Sequence, residues 1–268
     1  MKTSTSKRLR WNVAIWLAAG LFMTSTAGMA SGPIMPDPKA EARHQPQVEE
    51  TANGIPLVNI TAPSSGGVSR NEYETFNVPD KGAILNNSYT LSKTELAGYV
   101  QGNNNMAERP AKIIVNEVTG AGSTSMDGFL EVAGNRADVV IANPNGITVN
   151  GGGFINTGKA FLTTGKPVYD GEDHLQRFDI TGGDILIEGK GLGGKETESL
   201  AILSRAVKIN AGIWAKDLHI TTGANTVDAK TLEASAIEGK GGRPAFALDT
   251  AAIGGMYAGR ITLVGTEK

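Results

Sequence analysis

The side chains best equipped for chemistry in this 268-residue chain are three histidines, His44, His174 and His219, and scattered carboxylates. A zinc site of the H-E-x-x-H kind needs two histidines four residues apart on one helix face, and these three fit no such spacing. Asp170, Glu172, Asp173 and His174 form a carboxylate-rich run, but beside Gly171 and Gln176 it reads as a solvated loop. Paired acids hydrolyse glycosidic bonds only when held at a set separation, and Asp179 and Asp184 are the pair a polysaccharide lyase or hydrolase would use here. Gly189, Gly191 and Gly194 match G-x-G-x-x-G after the strand-like stretch 184–188, with a candidate helix at 195–206 and Asp217 at ribose-contact distance. A dinucleotide domain requires strands and helices alternating over a long region, and this chain offers at most one such unit, so the glycines read as a loop. No cysteine is present, which excludes a thiolate nucleophile, a Cys-ligated zinc and any disulfide. The expectation is a chain with no catalytic residue, cofactor or metal.

A more specific pattern is built from asparagine. Residues 137–157 read ADVVIANPNGITVNGGGFINT: an apolar strand, then Asn143-Pro144-Asn145-Gly146, then a second strand from Ile147. Proline presets φ, and the following Asn and Gly tolerate positive φ, so the string specifies a tight turn. A related run, Asn103-Asn104-Asn105-Met106, lies upstream.

The surrounding elements must be strands. The chain has 35 glycines, about one residue in eight, and few long helical patterns. Short β-branched runs recur at 57–60, 112–118, 138–141, 184–188, 207–210 and 218–222, each bounded by Gly, Asn, Asp or Pro. Ile185 and Ile187, Val207 and Ile209, and Leu218 and Ile220 alternate on one face, and their intervals of 22 and 11 residues suggest a coil of roughly 20 residues. Stacked coils of that kind share a core that no single rung can bury, which is a β-solenoid. Periodicity alone leaves a β-sandwich open. Residues 31–54, with Pro33, Pro36, Pro38 and Pro46, read as a flexible leader.

At the amino terminus, Lys2, Lys7, Arg8 and Arg10 precede the apolar stretch 11–23 and the small residues Ala27, Gly28 and Ala30. That is the pattern of a secretory signal peptide over residues 1–30, too short in its apolar run to span a membrane. Cleavage after Ala30 is preferred and after Ala27 is the alternative. Removing residues 1–30 takes away four of the 25 basic side chains and none of the 27 acidic ones, leaving a net charge of −6. Such a surface repels phosphate backbones, so nucleic acid is not an expected partner.

The turn string at 137–157 closely resembles the signature of the two-partner secretion domain of filamentous haemagglutinins, haemolysins and contact-dependent growth inhibition exoproteins. Further matches follow in order: Gly67-Val68-Ser69-Arg70-Asn71, Tyr73, Phe76-Asn77-Val78, Leu85-Asn86-Asn87-Ser88, Leu96-Ala97-Gly98, Ile114-Val115-Asn116-Glu117-Val118 and, more loosely, 253–261. The resemblance implies an all-β fold, a right-handed parallel β-helix with capping and extra-helical β-hairpin strands. It divides the chain into a signal peptide (1–30), leader (31–54), secretion domain (55–250) and the start of a further β-helix repeat, cut short (251–268). It also implies a mechanism. After entry into the periplasm through the Sec machinery, an extended chain is recognised by the POTRA repeats of a cognate outer-membrane barrel of the TpsB/Omp85 type, crosses it and folds outside a Gram-negative cell. Asn143, Pro144, Asn145, Gly146 and Ile147 are the expected recognition residues, with Asn103 and Asn105 second; a purely turn-shaping role for these asparagines is the competing expectation. The upstream motif departs from the family's usual Asn-Pro-Asn-Leu by lacking proline, and Gly151-Gly152-Gly153 stands where haemolysin-like members carry a Cys pair, which places the chain nearer the haemagglutinin and growth-inhibition branch. Adhesion through host or bacterial surface receptors, or a stand-alone glycan-binding adhesin, is a further expectation.

Overall fold

Alternation of apolar and polar residues tells which side of a strand faces a core, and here it resolves into three sheet faces wound around one interior. A computed structural model describes residues 32–251 and 254–267, so the signal-peptide expectation lies outside the described residues. Within them the chain is a parallel β-helix. Each coil passes through a first face, a second and a third before rising to the next rung.

The first face stacks Val68–Phe76, Ile113–Val118, Ala137–Ala142, Thr157–Thr163, Ser199–Ser204 and residues 218–222, all parallel. The second stacks Thr124–Met126, Ile147–Val149, Asp184–Ile187, Ala206–Ile209 and Leu248–Thr250. The third runs from Pro56–Asn59 and Ala83–Asn87 through Phe129–Gly134, Gly152–Ile155 and Leu192–Gly194 to residues 212–215. Two long strands, Gly212–Thr222 and Gly255–Gly265, round the corner from the third face to the first and pair in parallel along their length.

The interval of 22 residues in the sequence is one full coil, since Ile185 sits on Val207 and Ile187 on Ile209. The interval of 11 steps between faces instead, because Leu218 stacks on Leu200 in the first face. Ile185, Ile187, Val207 and Ile209 point into the shared core with Val139, Ile141, Leu200, Ile202, Leu218 and Ile220. On the second face the outward positions, Leu186 and Lys208, are half-buried or exposed, which gives the clean alternation. On the first face outward Val115, Val140, Ala142, Phe161, Ala201 and Leu203 are buried as well. Strands covered on both sides read as continuous apolar runs.

What covers the first face is an excursion. Lys166–Tyr169 and Leu175–Ile180 leave the coil between the first and second faces as an antiparallel hairpin. Asn225–Asp228 and Ala234–Ala236 leave at the same corner further on and join it, making a four-stranded antiparallel sheet. Phe178, fully buried, packs its ring 5.9 Å from that of Phe161. A smaller hairpin, Ser92–Thr94 with Gly98–Val100, covers Leu57, Ile84 and Ala133 on the third face.

Two sequence expectations are corrected. The leader 31–54 is not loose from residue 32 on: Ile34–Pro36 pairs antiparallel with Val68–Phe76, and Gln47–Glu50 with Pro56–Asn59. Proline is compatible with such positions because the strand Ile34–Pro36 is an outermost one, where the missing N–H leaves no ladder bond unmade. The candidate helix 195–206 is the strand Ser199–Ser204, whose residues are buried on both sides and therefore lack the alternation that marks a strand.

Candidate functional site

The turn at 143–146 forms the corner between the first-face strand Ala137–Ala142 and the second-face strand Ile147–Val149. Asn143 is fully buried. Its side-chain Oδ1 accepts the backbone N–H of Asn145 at 2.9 Å, and its Nδ2 donates to the Gly122 carbonyl at 2.9 Å and to Thr124 Oγ1 at 3.0 Å in the preceding coil. Asn145 is exposed, yet its Nδ2 donates to the Gly120 carbonyl at 2.8 Å. The Gly146 N–H closes the turn on the Asn143 carbonyl at 3.1 Å. Gly146 has φ +113°, and a Cβ there would stand 3.1 Å from the Asp184 carbonyl oxygen, so both conformation and space ask for glycine. Pro144 is exposed, while Ile147 enters the core. The Asn143 side chain mimics a backbone turn, and both asparagines staple one coil to the next.

The upstream run repeats the device at a different corner, between the third face and the first. Asn103 is buried and caps a single 3-10 turn, Asn104–Met106, its Oδ1 accepting the Asn105 N–H at 3.0 Å. Its Nδ2 donates to the carbonyls of Ile60 at 2.9 Å and Asn86 at 3.0 Å, and Asn105 Nδ2 reaches the same Ile60 carbonyl. Hydrogen-bond logic is thus shared without proline. The structure does not bring the two runs into one site.

Of the other candidates, Asp179 lies in the extra-helical sheet and pairs with Arg177 at 2.8 Å, whereas Asp184 opens a second-face strand. Gly191 precedes and Gly194 ends the third-face strand Leu192–Gly194, in the coil rather than at the head of a helix. Among the described residues no group of three or more His, Asp or Glu side chains is arranged to hold a metal ion.

Sequence reasoning missed one polar cluster. Arg70 Nη2 meets Glu72 Oε1 at 2.8 Å and Glu117 Oε2 at 3.5 Å, His44 Nδ1 lies 3.0 Å from the same Glu72 oxygen, and the Arg70 guanidinium stacks 4.5 Å from the Tyr169 ring centroid. Burial raises the Glu117 carboxyl above its ordinary range, and burial together with the Arg70 charge lowers His44. Arg43 pairs with Asp173 alongside. This cluster joins the amino-terminal segment, the first coils and the hairpin 166–180, elements too far apart in sequence for spacing to reveal.

A parallel β-helix with an antiparallel amino-terminal cap, extra-helical hairpins and asparagine-stapled corners defines a capped β-solenoid. A family model described as TPS secretion domain matches residues 33–268. The crystal structure of a filamentous hemagglutinin secretion domain superposes with a TM-score of 0.81 and 33% identity over 88% of this chain and 80% of that one. The 16S rRNA endonuclease CdiA of Enterobacter cloacae is 47% identical over 243 residues, 89% of this chain and 7% of the relative. The tRNA nuclease CdiA of Yersinia mollaretii is 46% identical over 244 residues, 90% of this chain and 8% of the relative. This chain belongs to the two-partner secretion domain family, and it spans less than a tenth of the length of the curated relatives it matches.

Proposed function

We propose that this domain delivers a large exoprotein to a cognate outer-membrane barrel, whose POTRA repeats recognise the 143–147 corner, with Asn103 and Asn105 as a second element, before the domain folds. Residues 1–30 serve as the Sec signal peptide, and the product reaches the cell surface or medium. The observation that carries this reading is the state of Asn143: fully buried, with both ends of its amide consumed by the adjoining turn and coil. A partner reads that side chain only in an extended chain. Folding then withdraws it and releases the partner. Each rung added outside buries apolar area and pairs backbone groups, which opposes backsliding without nucleotide hydrolysis at the outer membrane. The domain itself is non-catalytic, and adhesion or growth inhibition belongs to the longer protein.

Secretion of the chain with and without the barrel tests this, using Pro144→Ala as the diagnostic variant because Pro144 is exposed in the folded corner. Release that depends on the barrel and falls in Pro144→Ala, while the purified variant keeps wild-type thermal stability, supports recognition. Barrel-independent release overturns the transport reading, and an unchanged Pro144→Ala removes the corner from it.

A further inference from the structure

Three Asn-Gly dipeptides occur in the chain: Asn53-Gly54, Asn145-Gly146 and Asn150-Gly151. Asparagine before glycine is chemically labile. The unshielded glycine nitrogen, on losing its proton, attacks the asparagine Cγ; a C–N bond forms, the side-chain nitrogen leaves as ammonia, and water opens the five-membered imide to aspartate or isoaspartate. The other asparagines of the two corners are poor substrates. Asn143 precedes Pro144, which has no N–H, and Asn105 precedes Met106, whose side chain crowds the attack. Gly146 cannot be exchanged for a shielding residue without strain, because its φ is +113°. The conformation the turn needs is what makes Asn145 labile.

The folded corner withdraws both reactants. The Gly146 N–H is held by the Asn143 carbonyl at 3.1 Å, and the Asn145 amide is anchored on the preceding coil by the Gly120 carbonyl at 2.8 Å. The other two dipeptides are restrained in the same way, with the Gly54 N–H on the Thr51 carbonyl at 2.9 Å and the Gly151 N–H on the Gly191 carbonyl at 2.9 Å.

We propose that Asn145 is a deamidation site gated by folding: it converts while the chain is extended, is protected once the corner closes, and after conversion prevents normal closure. An aspartate at 145 has no side-chain N–H to donate and turns a carboxylate toward the Gly120 carbonyl. An isoaspartate adds a methylene to the backbone between the two hydrogen bonds that define the turn. Under the export reading above, on which this consequence rests, Asn145 limits how long an unfolded chain stays competent.

The experiment needs no transporter, so its failure is separate from failure of the recognition reading. The purified chain is incubated at mildly alkaline pH, folded or unfolded in a non-carbamylating denaturant such as guanidinium, and the three dipeptides are followed by peptide mass spectrometry as a one-dalton gain. Conversion of Asn145 in the unfolded chain, slowed by more than roughly tenfold in the folded one, supports the gate. Equal rates in both states, or no conversion when unfolded, overturns it. Refolding of the converted fraction, alongside Asn145→Asp made directly, tests the consequence: loss of refolding yield or a lower Tm is expected, and wild-type behaviour of both species overturns it. Asn145→Gln, which cyclises slowly, should abolish the signal at 145 while leaving those at 53 and 150 as internal clocks.

Discussion

Replacing Asn143 by alanine removes a buried amide that donates two hydrogen bonds to the preceding coil and accepts two inside the corner. Gly122 is exposed, so water takes over its carbonyl, but Thr124 is buried and loses a partner for its hydroxyl. The backbone N–H of Asn145 loses its acceptor as well. Net hydrogen bonds contribute about 0.5 to 1.5 kcal/mol each and a stranded buried group costs about 1 to 3 kcal/mol, so Asn143→Ala should destabilise by about 2 to 4 kcal/mol. For a domain of this size that lowers the Tm by roughly 5 to 15 °C. Urea unfolding followed by tryptophan fluorescence should show the midpoint falling with the m-value unchanged. Asn103→Ala, which removes the same kind of cap, should fall in the same range, and Pro144→Ala within about 0.5 kcal/mol of wild type. If Asn143→Ala costs no more than Pro144→Ala, the asparagine does not hold the coils together and the argument for its burial as a release step collapses.

Phe178→Ala should cost about 3 to 5 kcal/mol, since the ring is fully buried between the extra-helical sheet and Phe161, and hydrogen exchange should rise first in residues 166–180. Gly146→Ala should destabilise by about 1 to 3 kcal/mol through its positive φ, readable as a lower Tm with the circular dichroism spectrum retained. His44 is lowered by burial and by Arg70, so the unfolded chain takes up its proton first as pH falls below about 6.5. Stability contributed by neutral His44 is therefore complete above that pH and lost progressively below it; the slope of unfolding free energy between pH 6.5 and 5 should flatten in His44→Gln, and an unchanged slope would assign the effect elsewhere.

Much was legible in the sequence because its causes are local. The alternation of Ile185 with Ile187 and of Val207 with Ile209 follows from one side of the second face being open to solvent, and that pattern needs no knowledge of the partner strand. The tight turn at 143–146 follows from proline, asparagine and glycine torsional preferences alone. Tertiary structure decided the rest. That Leu218 belongs to a different face from Val207, that 199–204 is a strand, and that residues 34–50 cap the first coils all depend on what lies on the far side of each strand. Arg70, Glu72, Glu117, His44 and Tyr169 meet because the hairpin 166–180 folds back over the first face. The burial of Asn143 is likewise set by the preceding coil, which supplies Gly122 and Thr124. Hydrogen-bonding capacity is written in the side chain, but which carbonyl consumes it is fixed only when one rung stacks on another.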